Sequence, residues 1–244
     1  MSNKNLTYKK FGEKAILIEW HPIISDEILN DILLFEEKIR FKKNIEFYDL
    51  IQGYNSLTII YKNFITDFEK EVQLLKIIYT SLLEVKKQNY YQWEIPVCYD
   101  LEFGIDLEEI SQKSNLQIHE IVKLHTKSIY KIFFIGFLPG FLYLGGLSKK
   151  LFFDRKPNPR LNVQKGSVAI GGKQTGVYPN NSAGGWNIIG KTPINFFDVE
   201  KQHPCFVKAG DSIKFNSISL DEFRCIATEI KEKKYQLFKT LLNA

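Results

Sequence analysis

Apolar positions near the N-terminus change period several times, and each change marks an element. Residues 15–20 read as a strand. Ser25, Asp26 and Glu27 then precede Ile28, Ile32, Phe35 and Ile39 at helical spacing, with Leu29 and Leu33 widening the stripe. Residues 45–51 and 57–61 read as strands flanking the turn Gly53-Tyr54-Asn55-Ser56. Thr66-Asp67-Phe68-Glu69 has the form of a capping box, and Phe68, Val72, Leu75, Tyr79 and Leu82 continue one helical face. Residues 91–97 supply a fourth strand. The order β-α-β-β-α-β is the ferredoxin-like pattern, so residues 1–92 are expected to form an N-terminal α+β domain. His21, beside Pro22 at a strand end, reads as a turn residue.

Beyond Tyr99, Asp106-Leu107-Glu108-Glu109 is a second capping box, opening a helix to about residue 112. Another helix over 117–127 carries His119 and His125, six apart and therefore not on one face as a metal pair would be. Short strands follow at 151–153, Val163, 166–170, 186–189, 194–197 and 212–215, separated by glycine turns. That pattern predicts a compact barrel or sandwich over 93–244. Arg155-Lys156-Pro157-Asn158-Pro159-Arg160 must run extended, because each proline lacks an amide donor and restricts its predecessor. Residues from Leu220 onward read as helix to the end.

Composition narrows the function classes. The 244 residues carry a net charge of +5 from lysines interleaved with acidic residues, which excludes a basic nucleic-acid stripe. No apolar segment approaches a membrane span, and the N-terminus has no signal-peptide core. Cys98, Cys205 and Cys225 are widely spaced and odd in number, which points to a reducing cytoplasm and not to a disulfide or zinc framework.

Chemistry concentrates between Phe133 and Pro193, where glycines alternate with aromatics. Bare backbone beside flat rings suits either barrel corners or a site walled by backbone, Gln174, Tyr178 and Trp186. Gly171-Gly172-Lys173-Gln174-Thr175 is not a Walker loop, since Gln174 separates the lysine from the threonine. Its glycine amides and Lys173 still suit an anion nest, against a plain turn. Arg160 is the best fixed cation for a carboxylate or phosphate, with a structural salt bridge as the alternative. Gln174 donates and accepts in one plane, as an amide or lactam requires. His125 stands just before the strand leading into this stretch, where structural hydrogen bonding competes with acid–base work.

The chain resembles the PxpB/KipI family, the B subunit of prokaryotic ATP-dependent 5-oxoprolinase, also described as allophanate hydrolase subunit 1-like. The matching pieces include Glu102-Phe103-Gly104, Asp106-Leu107-Glu108-Glu109, His125 with Tyr130, and Gly136-Phe137-Leu138-Pro139-Gly140-Phe141. Further pieces are Pro159-Arg160, Gln174-Thr175-Gly176-Val177-Tyr178-Pro179, Gly184-Gly185-Trp186 and Gly190-Lys191-Thr192-Pro193. Leu142 replaces a usual proline and Lys191 a common arginine. The resemblance implies a C-terminal cyclophilin-like β-barrel, a homologous C subunit and an A subunit as partners, and opening of 5-oxo-L-proline to L-glutamate. ATP, with Mg2+, would be the co-substrate. Candidate catalytic residues are Arg160, Gln174 and His125. Candidate substrate- or nucleotide-binding residues are Gly140, Phe141, Lys173, Thr175, Tyr178 and Trp186, and no protein metal ligands are expected. The rival within the family is an inhibitor of histidine-kinase autophosphorylation. A half of a urea-carboxylase-like carboxyltransferase module is the third reading.

Overall fold

The computed structural model describes residues 5–42, 45–83 and 88–242. The chain divides into two compact units, Met1–Gln88 and Asn89–Ala244. In the first, β1 (Thr7–Lys10), β2 (Ala15–Glu19), β3 (Phe47–Gln52) and β4 (Ser56–Tyr61) form an antiparallel sheet in the order β1-β2-β4-β3. Helices α1 (Asp26–Phe41) and α2 (Phe68–Thr80) complete it. Ser25 caps α1 by accepting the Ile28 amide at 3.2 Å, and Ile28, Ile32, Phe35 and Ile39 are buried as the spacing requires. On α2 the cap falls one residue later than the expected box: Asp67 accepts the Lys70 amide at 3.0 Å. The helix stops at Thr80, so Leu82 leaves the apolar face and is exposed. Lys38 of α1 is buried and closes that end, donating to the carbonyls of Tyr79 and Ser81 at 2.8 and 2.7 Å.

The strand expected at 91–97 does not join this sheet. Its fourth strand is β1, a polar edge strand with no apolar alternation to announce it. Residues 91–97 belong to β5 (Tyr90–Cys98), which lies in the second unit. The reason is visible in its burial: Ile95, Val97 and Cys98 are all enclosed, as a strand with neighbours on both sides demands.

The second unit is a closed seven-stranded barrel. Its strands are β5, β6 (Ile129–Ile135), β7 (Leu142–Gly145), β9 (Ser167–Gly171), β10 (Gln174–Val177), β12 (Asn187–Lys191) and β13 (Ser212–Ile218). The order is β12-β9-β10-β7-β6-β13-β5, and a single pair, Lys191 with Cys98, closes β12 onto β5. Among these strands only β13 and β5 run parallel, in register from Ser212 beside Gln92 to Ile218 beside Cys98. A two-stranded ribbon, β8 (Arg160–Val163) with β11 (Ser182–Gly184), stands apart from the barrel ladder. Helices α3 (Leu107–Ser114), α4 (Ile118–Lys127) and α5 (Leu220–Lys231) complete the unit.

Three expected elements come out differently. Residues 151–153 form a 3-10 turn (Lys149–Leu151) and one bridge from Phe153 to Gly172. Residues 194–197 bury Ile194 and Phe196 in the core without joining a ladder. After α5, Lys233 adopts φ +59°, and the chain returns as β14 (Lys239–Leu242) along the free side of β5. That final strand replaces the helix expected to the end, because Tyr235 and Leu237 pack on the barrel core.

Buried Asp211 ties the start of β5 to β13: its carboxylate accepts the Tyr91 amide at 2.9 Å, the Trp93 indole at 3.0 Å and the Lys208 amide at 3.2 Å. Asp211→Ala leaves three donors without their acceptor and should cost about 3 kcal/mol, with Asp211→Asn retaining part of it. Urea unfolding reads this as a lower midpoint at constant slope; an unchanged midpoint in the alanine variant contradicts it.

Candidate functional site

Successive residues of a barrel strand face opposite sides, and here the two sides differ in kind. Leu142, Leu144, Val168, Ile170, Val177 and Ile189 face the main core, whereas Tyr143, Ala169, Tyr178 and Ile188 face a second, smaller cluster with Phe141, Val163 and Trp186. By the same alternation Thr175 points inward and Gln174 outward.

Inside, His125 of α4 is 0% exposed, with both ring nitrogens engaged. Nε2 is 2.9 Å from the Thr175 hydroxyl, which itself donates to the Ala169 carbonyl at 3.0 Å. Thr175 has one proton to give, so Nε2–H donates to it and Nδ1 accepts the Tyr99 hydroxyl at 2.7 Å. Burial pulls the His125 pKa down from 6.5 to about 3. The ring stacks on Phe215 with centroids 4.8 Å apart. His125 and Thr175 therefore lie in the barrel core and are not brought to the outer cluster.

The outer cluster gathers Phe141, Tyr178 and Trp186, all buried, with Phe141 edge-on to both other rings at 5.4 Å. Its glycines are the places where rings press on bare backbone. A Cβ at Gly171 would stand 2.6 to 2.7 Å from three atoms of the Trp186 indole, and one at Gly184 would strike the Tyr178 hydroxyl. Gly140 (φ +83°) is buried behind Phe141, where a Cβ would meet Phe197 at 2.6 Å. These rings form a packed wall. Arg155 adds its guanidinium 5.5 Å from the Trp186 ring.

Along this wall runs an ion network centred on Asp106, which is 2% exposed. Asp106 stands at the N-cap position of α3, yet its side chain does not cap that helix. It accepts the Ile188 amide at 2.7 Å and Arg160 Nη2 at 2.6 Å, with Lys156 Nζ at 3.0 Å. The expected capping box is absent because β12 and the Lys156–Arg160 segment take the carboxylate. Lys156 also pairs with Glu109, which Lys113 holds at 2.7 Å; these lysines bring the Glu109 pKa down to about 2. Beside the network lies a cavity of about 350 Å3, bordered by Glu109, Lys113, Arg155, Lys156 and Asn187.

Among the described residues of this unit, three atoms are buried without a hydrogen-bond partner: Arg160 Nη1, Gln174 Oε1 and Ser182 Oγ. Lys173 lies apart, exposed at the tip of the β9–β10 hairpin. The amide of Gly172 (φ +64°) donates to the Phe153 carbonyl at 2.6 Å, so it is not available to an anion nest. Sequence reasoning misses Asp106, Lys156 and Arg155 as site residues, although three cations in the six residues 155–160 are a usable signal. Among the described residues, no group of three or more His, Cys, Asp or Glu side chains gathers as a metal site, and no helix is long and apolar enough to cross a membrane. The first unit has a cavity of about 600 Å3 beside Trp20 and His21. Polar groups there are engaged with one another: Ser25 with Glu27, and Asn55 with the Trp20 carbonyl.

The family described as "Carboxyltransferase domain, subdomain C and D" matches residues 6–207, which include most of the α+β unit and most of the barrel unit. Within that class, the chain belongs to the family of 5-oxoprolinase B subunits. It is 33% identical over 231 residues to the 5-oxoprolinase B subunit of Bacillus subtilis, covering 91% of this chain and 96% of that protein. It is 36% identical over 204 residues to the protein of the same name from Haemophilus influenzae, covering 84% and 94%. Among solved structures, TTHA0988 superposes with TM-score 0.71 at 29% identity over 84% of this chain, which spans 40% of that longer protein.

Because His125 is neutral when folded and titrates near its ordinary value when unfolded, the unfolded chain binds the extra proton between about pH 6.5 and about pH 3. Stability should fall as pH drops through that window, by up to about 5 kcal/mol from this group. Histidine NMR should show no His125 midpoint between pH 5 and 8; a midpoint there contradicts the buried neutral assignment.

Proposed function

We propose that the chain is the B subunit of an ATP-dependent 5-oxoprolinase, working with a homologous C subunit and an A subunit in the cytoplasm. Family membership supports the reaction. The observation that carries the site is the pair of unpartnered buried atoms, a donor on Arg160 and an acceptor on Gln174. A lactam presents the reverse pair, a carbonyl acceptor and an N–H donor, one suited to each.

The lactam carbonyl is a poor electrophile, and activation precedes its opening. Its oxygen takes the γ-phosphoryl group of ATP, releasing ADP. Water then adds to the activated carbon, the C–N bond opens and phosphate departs, leaving L-glutamate. Donors preorganised around the carbonyl oxygen favour the first step, because they need no reorientation as charge moves. ATP and its divalent cation enter as co-substrate. Arg160 holds the carbonyl oxygen from a side chain already fixed by Asp106, and Gln174 orients the ring nitrogen. His125 and Thr175 keep the barrel wall behind Gln174 in register.

Coexpression with the A and C subunits should give ATP-dependent glutamate release from 5-oxoproline. Gln174→Ala should lower kcat/KM about tenfold to hundredfold without a change in melting temperature. Arg160→Ala should lower activity and stability together. Wild-type activity in both variants would remove this site.

A further inference from the structure

The sequence offers Arg160 as the anion-binding cation, but in the folded chain that charge is already matched. Arg160 lies 2.6 Å from the Asp106 carboxylate. Lys156 and Lys113 are likewise matched, both to Glu109 and the first also to Asp106. Arg155 is different. Among the described residues no carboxylate lies within ion-pair distance of it, and its guanidinium stands 5.5 Å from the centroid of the Trp186 ring. Burial raises the Tyr143 and Tyr178 phenols, and the Arg155 charge works against that rise at both.

Arg155 also borders the cavity of about 350 Å3 next to this wall. The cavity's charged border comprises Lys113, Arg155 and Lys156 against Glu109 and Asp154, which leaves one positive charge uncompensated. One uncompensated cation suits a monoanion. A triphosphate would bring several negative charges against Glu109 and Asp154, and a nucleotide exceeds a cavity near the lower end of small-molecule sites, about 300 to 1,000 Å3. A planar guanidinium grips a carboxylate at two points, and that of Arg155 stands over the Trp186 ring, 5.5 Å from its centroid.

We propose that Arg155 is the counter-charge for the carboxylate of a small cyclic acid held in this cavity, and so selects the acid over uncharged lactams. The identity of that acid as 5-oxoproline rests on the oxoprolinase reading; the carboxylate site does not. Arg155 is a specificity residue, distinct from Arg160, whose charge is matched by Asp106.

The test is a calorimetric titration of the full chain, alone and assembled with its A and C subunits. The probes are L-5-oxoproline, its uncharged carboxamide, and ATP. Wild type should prefer the acid over the carboxamide. Arg155→Ala should weaken the acid about tenfold to hundredfold, leave the carboxamide unchanged and so abolish the preference. Arg155→Lys should fall between, keeping the charge without the fork. Arg155 is exposed, so the melting temperature should not move. Three outcomes overturn the proposal: no acid preference in either sample, a preference that survives Arg155→Ala, or ATP competing with the acid in an Arg155-dependent way. Arg155-dependent acid binding without ATP-dependent glutamate release would sink the oxoprolinase reading alone. Glutamate release whose KM is indifferent to Arg155→Ala would sink this proposal alone.

Discussion

A carboxylate enclosed in protein must be matched by donors or it destabilises the fold, and Asp106 is matched from three directions. The Ile188 amide fixes it to β12, Arg160 fixes it to β8, and Lys156 fixes it to the proline-broken segment that precedes β8. The Asp106 amide returns a bond to the Ile188 carbonyl at 3.0 Å, so α3 and β12 are locked at their shared end. The cost of such a hub is its desolvation, which the two cations and the backbone donor offset together. Its consequence is positional. With Arg160 and Lys156 drawn to Asp106, Arg155 is left at the cavity edge against Trp186.

The barrel wall gives that hub something to act beside. One side of β9, β10 and β12 packs a conventional core around His125, and the other carries Tyr178, Trp186 and the glycines that let their rings approach the backbone. Thr175 and Gln174 are neighbours in sequence but serve opposite sides: Thr175 completes the chain of hydrogen bonds from Tyr99 through His125 to Ala169, and Gln174 is left with an unpaired acceptor. A hydrogen-bonded inner network thus lies behind a polar outer residue.

Much of the architecture is legible in the sequence, because α1 and α2 show clear 3.6-residue stripes and the glycine turns announce a barrel. What escapes has specific causes. β1 is a polar edge strand, so Thr7–Lys10 lacks the alternation that marks a half-buried strand. β5 is recognisable as a strand but not by its sheet, since only tertiary partners reveal that it runs parallel to β13, far away in sequence. At the site, composition alone points to Tyr178, Trp186 and Gln174, and they do share a wall. Asp106 reads as a helix cap because an N-cap and an ion-pair hub have the same sequence form, Asp followed by Glu three residues later. By chain position His125 is within reach of the site, yet it points into the core. Sequence position cannot distinguish the two sides of a wall until strand register is known.

Buried Asp106 and half-buried Arg160 act as one unit, and the placement of Arg155 follows from it. A double-mutant cycle with Asp106→Asn and Arg160→Gln, read by urea unfolding, isolates their coupling. A coupling of about 2 kcal/mol is expected, since either change alone breaks an ion pair whose carboxylate is enclosed. Additivity of the two single effects to within about 0.5 kcal/mol would show that the pair is not coupled, and would contradict the account at its base.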